Sequence, residues 1–302
     1  MSCRRLFLTG ATGTVGGGIL EALAATQGYD VDCLVRRPEA AAVVARSGGR
    51  PVFGDMADGA LFEQLARERS YDFIIHAAQA SYRDRTRGEI DDLERRAVRN
   101  LEKLRRPATR LMVFTGGVWS YGNGAGGQPI TEATPSQPFP AARQRVQLQL
   151  ELASGGYPWV QLCPPSIVYG TVGPLVEIAR TLRDGGTIEV LDADVRWSVI
   201  ERLDLGRAYG ALLQHGQVRD NFVIAEDDPV RIVDFYTTIA AQIGRGAVIR
   251  RSFAELAASR DTESLERAST SQPVDASLFK DRTGWRARES FVKSVGRFLQ
   301  TD

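Results

Sequence analysis

The chain is predicted to fold as a doubly wound α/β structure, a parallel sheet with helices on both faces, followed by a smaller C-terminal substrate lobe. Three observations predict it. Short apolar runs alternate with helix-like stretches through the first half. Those runs are apolar at successive rather than alternate positions, as strands covered on both faces must be. The first run also passes directly into glycines at 10, 13 and 16 and then a helical pattern, which reads as strand, tight turn, helix. Alternating β and α implies right-handed crossovers, and no internal repeat of solenoid period interrupts them.

The first strand opens at Leu6-Phe-Leu-Thr9. Gly10 lets the chain turn sharply, Gly13 lets backbone approach a pyrophosphate, and Gly16 lets the next helix pack close. That helix, predicted over 17–27, presents unpaired N–H groups and the positive end of its dipole to the turn. The unit therefore predicts a dinucleotide site of the Rossmann type. No Gly-Lys-Ser/Thr follows, which excludes a nucleoside-triphosphate P-loop. Further strands are read at Val31–Val35, Pro51–Phe53, Asp72–Ala78, Leu111–Thr115 and Trp159–Cys163, with helices near 59–69, 91–104 and 141–153. A Gly/Pro-rich loop, Gly122–Pro138, follows the fifth strand. Ligands bind beyond the carboxyl ends of such strands, so the loop is expected to border the site. The pattern breaks from about 170, and the expected division is 1–170 plus 204–226 for the Rossmann domain and 171–203 plus 227–302 for the lobe. The polar tract Ser259–Ser271 reads as a solvated helix or loop.

A chain of 302 residues, 43% of them hydrophobic, has ample core for one large or two small domains. A formal net charge of +1 favours neither nucleic acid nor an anionic membrane. No apolar run is long enough to span a bilayer, and the first residues enter a strand without a signal-peptide pattern, so a cytoplasmic location is expected. Cys3, Cys33 and Cys163 are odd in number and lie on or beside apolar runs. Buried reduced thiols are expected rather than disulfides. His76 and His215 are the only histidines, no Cys/His cluster exists, and no metal is expected. Lysine stands only at 103, 280 and 293, leaving 38 − 3 = 35 arginines, a bias read as compositional.

Several stretches together resemble the extended short-chain dehydrogenase/reductases, the NAD-dependent epimerase/dehydratase-like family. They are Thr9-Gly-Ala-Thr-Gly-Thr-Val-Gly16, Gly54-Asp55, His76-Ala-Ala78, Thr115-Gly-Gly-Val-Trp-Ser-Tyr-Gly122, Pro164-Pro-Ser-Ile-Val-Tyr-Gly170, Asp204-Leu-Gly-Arg-Ala208 and Thr283-Gly-Trp-Arg286. The likeness runs nearly end to end. It implies a cofactor held by Gly10, Thr12, Gly13, Thr14, Val15 and Gly16 at the phosphates and by Asp55 and Met56 at the adenine. It also implies Ala77, Ala78 and Gln79 under the ribose, with Thr115, Arg143, Pro164, Ser166 and Ile167 on the nicotinamide side. An NAD-preferring site of this fold carries an acidic residue at the end of the second strand. Here that position reads Val35-Arg36-Arg37. Two guanidiniums suit a ribose 2′-phosphate through forked, charge-assisted hydrogen bonds, so NADP(H) is expected.

The resemblance also implies a Ser/Tyr/Lys set for ketone reduction, and this sequence departs from it. The serine position reads Gly117, and the Tyr-x-x-x-Lys positions read Phe139 and Arg143. The helix asparagine of many relatives falls near Glu94. Ser120 and Tyr121 are weak substitutes as proton donors, Ser166, Tyr169 and His76 weaker ones, and Trp119 and Trp197 are candidates for an aromatic pocket.

Three readings follow. The first is an NADPH-dependent ketoreductase acting on a small-molecule aromatic ketone. There a phenol of the substrate or solvent supplies the proton, because general-acid help is worth about 10²–10⁴-fold and its loss slows hydride transfer without forbidding it. The loss pattern is similar to that of ketoreductases acting on polycyclic aromatic polyketides of the angucyclinone type in antibiotic biosynthesis. The second is a non-catalytic NADP-binding redox sensor of the NmrA-like kind. The third is a nucleotide-sugar epimerase or dehydratase with a substitute acid. The polar faces of 91–104 and 141–153 leave monomer and homodimer both open.

Overall fold

The computed structural model describes residues 3–79, 86–154, 159–215 and 221–300. They form two compact units. The first comprises residues 1–116, 144–162 and 206–221, and the second 117–143, 163–205 and 222–302. Residues 117–143, 163–170, 204–205 and 222–226, expected in the Rossmann domain, group with the second unit. Their partners explain this: Ile130 bridges to Val274, and Gln272 donates to the Val118 carbonyl and accepts from Ser166. Within the expected return segment 204–226, residues 216–220 lie outside the described residues.

In chain order the elements are β1 (Arg4–Thr9), α1 (Thr14–Ala24), β2 (Tyr29–Val35), α2 (Pro38–Arg46), β3 (Arg50–Phe53), α3 (Gly59–Glu68), β4 (Phe73–His76), α4 (Arg87–Lys103), β5 (Leu111–Thr115), α5 (Arg143–Ser154) and β6 (Trp159–Cys163). The remainder are β7 (Ile167–Tyr169), α6 (Pro174–Arg183), β8 (Thr187–Leu191), β9 (Arg196–Trp197), β10 (Val199–Glu201), α7 (Arg202–His215), β11 (Phe222–Val223), β12 (Val230–Arg231), α8 (Ile232–Ile243), β13 (Ala247–Arg251), α9 (Phe253–Ala257), α10 (Thr262–Ser269), α11 (Ser277–Thr283) and α12 (Phe291–Leu299).

Among the described residues the central sheet has seven strands, in the order β11-β6-β5-β4-β1-β2-β3. The pairs β3·β2, β2·β1, β1·β4, β4·β5 and β5·β6 are all parallel. The doubly wound α/β fold expected from sequence is therefore present. Strand order reverses between β1 and β4, and that reversal opens a crevice at the carboxyl ends of these strands. Phe7, Phe62, Tyr71, Ile74, Met112 and Trp159 pack into the first unit's core. Asp32 is buried there but fully engaged, accepting from Arg50, Arg69 and, at 2.7 Å, the Tyr71 hydroxyl.

Helix boundaries differ from expectation in instructive ways. α1 starts at Thr14, not 17, so Gly16–Gly18 lie inside it despite poor helix propensity. α4 starts at Arg87, earlier than 91, because Thr86 and Glu89 form a capping box. α2, which the periodicity did not announce, begins with Pro38 at its first turn, where a proline is tolerated. The polar tract 259–271 holds α10, capped by Asp261 and anchored by buried Leu265. Cys33 and Cys163 are buried as expected, but Cys3 is exposed, since burial in β1 begins only at Leu6.

In the second unit β10 pairs with β7, β9 with β12 and β8 with β13. Its main core holds Tyr169, Leu175, Phe235, Ile239, Phe291 and Val295. No helix among the described residues is long and apolar enough to cross a membrane.

Candidate active site

At the strand-order reversal the first unit holds a cleft of about 270 Å³. The β1–α1 turn supplies Thr9, Gly10, Thr12 and Gly13 to it. Gly10 adopts φ +76°, and a Cβ there would stand 2.7 Å from the backbone of Ala77 and Ala78. A Cβ on Gly16 would stand 2.1 Å from the Gly10 carbonyl oxygen. Bare backbone at both positions thus lets the turn seat between α1 and the end of β4. The Gly13 amide donates to the Gly10 carbonyl at 2.9 Å. The first amides of α1, including Thr14, Val15 and Gly16, have no intrahelical acceptor by construction. This cradle fits a dinucleotide pyrophosphate.

The end of β2 brings Leu34, Val35, Arg36 and Arg37 to the same cleft, and α2 adds Ala40. Both arginine side chains are exposed. Asp55 and Met56 enter from the end of β3, and Asp55 is oriented by accepting the Ala57 amide at 2.9 Å. Ala77, Ala78 and Gln79 follow β4, and Leu93 of α4 completes the lining. Thr9, Leu34, Ala40 and Leu93 were not singled out from sequence. They are apolar or strand-internal residues whose place in the cleft depends on the sheet order.

Behind the cleft lies a buried polar layer. His76 is fully buried, and its Nδ1 shares a 2.8 Å hydrogen bond with Thr9 Oγ1, which also accepts the Ala78 amide at 3.3 Å. Burial pushes the His76 pKa down, outweighing Glu94 nearby. From sequence, Glu94 and Arg145 belong to the polar faces of 91–104 and 141–153, open to solvent or to a second copy; the structure instead buries Glu94 and pairs it with Arg145. Arg145 donates to Glu94 at 2.7 Å and to the carbonyls of Thr115 and Ala78. The signal for it was available in principle: Glu94 lies on the apolar face of α4 and needs a cation. The Thr115 hydroxyl, at the end of β5, bonds the Tyr209 hydroxyl at 2.7 Å.

The remaining predicted positions lie in the second unit and are described within it. Gly117 has an extended backbone, and a Cβ there would meet nothing within 4 Å. Phe139 is buried and packs edge-to-face on Trp119, with ring centroids 6.1 Å apart. Arg267 covers the Trp119 ring at 4.8 Å and pairs with Glu263, which also accepts the Ala141 amide. Arg143 is exposed. Of the substitute donors, Ser120 is buried, and Tyr121 sits among Val118, Ile130 and Cys163, where burial pushes its phenol up so that it holds its proton more tightly. Tyr169 donates to Glu226 at 2.6 Å and Ser166 to Gln272 at 2.6 Å, so both are committed to the fold. Trp197 donates to the Thr270 carbonyl at 2.8 Å, a structural role in the lobe. Pro164 accepts the Val118 amide, and Ile167 begins β7.

Fold and cleft together define a dinucleotide-binding α/β protein. The chain belongs to the NAD dependent epimerase/dehydratase family, whose model matches residues 6–225. Among solved structures it is similar to the Bordetella bronchiseptica enzyme WbmG in complex with NAD and UDP, with a TM-score of 0.81 and 18% identity over 99% of this chain and 94% of that one. It is similar also to the dTDP-glucose 4,6-dehydratase of Bacillus anthracis in complex with NAD (TM-score 0.81, 16% identity, 99% and 96% covered). A third is DesIV, the dTDP-glucose 4,6-dehydratase of Streptomyces venezuelae (0.80, 20%, 98% and 96%). At such identities the likeness concerns the fold. No curated protein matches the chain by sequence.

Proposed function

We propose that the protein is an NADP(H)-dependent ketone reductase whose own side chains do not supply the proton, acting on a phenolic polycyclic ketone of the angucyclinone type. The observation that carries this reading is the pairing of a dinucleotide cradle with a non-ionisable residue, buried Phe139, at the tyrosine position. When bound, the nicotinamide supplies hydride-transfer chemistry. The chain's part is to hold and aim it. Arg36 and Arg37 hold the ribose 2′-phosphate; Gly10, Gly13 and the first turn of α1 hold the pyrophosphate; Asp55 and Met56 border the adenine.

Direction follows from the missing acid/base. Oxidising an alcohol, the first step of an epimerase or dehydratase that works through a keto intermediate, requires a base to take the hydroxyl proton. Gly117 and Phe139 cannot take it, the Arg143 guanidinium offers donors and no acceptor, and Tyr121 holds its own proton more tightly. Reducing a ketone that is already hydrogen-bonded to a neighbouring phenol requires no protein acid at that moment, since the phenol offsets the developing negative charge internally. The test is oxidation of NADPH followed at 340 nm over a panel of ketones with and without a peri-phenol. Turnover confined to the phenolic members is expected. NADPH binding with no turnover on any ketone replaces this reading with the redox sensor. Turnover of a nucleotide sugar instead supports the epimerase/dehydratase alternative.

A further inference from the structure

Two ionic side chains, buried Glu94 and partly buried Arg145, stand under the first unit's cleft, and the phosphate cradle requires neither. We propose that Arg145 and Glu94 form a positioning pair that fixes the carboxyl ends of β4 and β5 beneath the nicotinamide half of the dinucleotide. The inference rests on the dinucleotide reading above. Arg145 Nη1 donates to Glu94 Oε2 at 2.7 Å. Nε and Nη2 both donate to the Thr115 carbonyl, at 3.2 and 2.8 Å, and Nη2 also donates to the Ala78 carbonyl at 3.3 Å. One bond from Nη1, one from Nε and two from Nη2 engage four of the guanidinium's five N–H groups. Arg145 is thus occupied with backbone and acts on a ligand only through it.

Three features make this a device rather than an incidental ion pair. Thr115 closes β5 and Ala78 stands two residues past the end of neighbouring β4, so one planar fork ties the two chain segments together; a lysine ammonium is a point donor and cannot reproduce that. The guanidinium lies 4.5 Å from the Phe114 ring centroid, which sets its plane. The pair is desolvated, with side-chain exposures of 15% for Arg145 and 6% for Glu94, and buried pairs of this kind generally stabilise a fold no more than apolar residues would. His76 Nε2 lies 3.7 Å from the same Glu94 oxygen, at the edge of this network. The β1 turn takes the pyrophosphate and the end of β2 the adenosine ribose. β4 and β5, on the other side of β1, therefore underlie the other half of the cofactor. Ala78 lines the cleft itself.

The test compares two nucleotides by calorimetry: NADPH, and adenosine 2′,5′-bisphosphate, which reaches only the adenine side. Arg145→Leu alone leaves Glu94 buried without its partner and is prone to unfold, so the paired variant Glu94→Leu/Arg145→Leu is used, with Arg145→Lys beside it. For both, NADPH binding is expected to weaken about tenfold or more, because the supporting shell sets the geometry of the site. Bisphosphate binding is expected to stay within about twofold of wild type, the resolution of the comparison. NADPH affinity unchanged in the folded paired variant overturns the inference. So does equal weakening of both nucleotides, which marks a merely structural role. If the paired variant does not fold, Arg145→Lys decides on the same criteria. A wild-type protein that binds neither nucleotide overturns the dinucleotide reading, and this inference with it.

Discussion

Replacing Arg36 and Arg37 together by alanine tests the cofactor assignment most directly. Both side chains are exposed and line the cleft at the end of β2. Arg37 is the N-cap residue of α2 but makes no side-chain capping bond, so the change costs the helix little. A hydrogen bond to a charged group contributes about 1.5–3 kcal/mol, and exposure places these at the lower end, about 1.5 kcal/mol each. Two such bonds sum to about 3 kcal/mol, or roughly a 150-fold rise in the Kd for NADPH. NADH lacks the 2′-phosphate, so its Kd should move by less than about threefold. Fluorescence titration with both nucleotides at two salt concentrations reads the effect, and the wild-type preference should shrink as salt rises. A parallel loss of both affinities, or a wild-type protein that already prefers NADH, refutes the assignment.

Further outcomes follow from other positions. Gly16→Ala sets a Cβ 2.1 Å from the Gly10 carbonyl oxygen, backbone that cannot yield, and should lower stability by about 1–3 kcal/mol while abolishing nucleotide binding; a variant that binds normally by calorimetry contradicts the cradle. The triple change Gly117→Ser/Phe139→Tyr/Arg143→Lys should fold, since Gly117 faces open space and Arg143 is exposed, though a buried tyrosine hydroxyl without a partner costs about 1–3 kcal/mol. It should raise kcat on ketones lacking a phenol and leave phenolic ketones unchanged or slower; a rise of about a hundredfold on phenolic ketones counts against a substrate-supplied proton. Glu226 is buried, and that burial raises its pKa from 4.5 to about 7 despite bonds from Tyr169 and the amides of Phe291 and Glu201. Between those values the folded state keeps a proton that the unfolded state has released, so this group's contribution to stability is full below pH 4.5 and is lost as pH rises through 7. The loss is of order 3 kcal/mol. Melting curves at about pH 5 and 7.5, on either side of the shifted value, should show Glu226→Gln losing a pH dependence that wild type has; identical slopes refute it.

Much of the fold was legible because its signals are local. The both-faces-apolar strands and the Gly10–Gly16 turn each declare themselves within a short stretch of chain, and the strand at Trp159–Cys163 coincides with its expected bounds. What escaped depends on distant partners. α2 carries one buried residue, Val44, so its periodicity was too faint to mark it. The boundary between units falls within continuous sequence at 116/117 because Ile130 and Val118 find their partners near 272–274, a pairing no local pattern reports.

Arg145 shows where local reading fails and what would replace it. In a chain with 35 arginines (38 basic residues less three lysines), one more arginine on α5 carries no information by itself. Arg143, two positions earlier, stands out because it sits at the family's lysine position, yet it is exposed. The informative residue is Glu94, an acid at a helix position otherwise surrounded by Ile90, Leu93, Ala97 and Val98. A carboxylate there cannot be left unpaired, and the residues able to pair with it are those on helices that flank the same face of the sheet. An ionised residue on an apolar helical face therefore calls for a partner on the strength of sequence alone, and in this protein that partner is the arginine that ties β4 to β5.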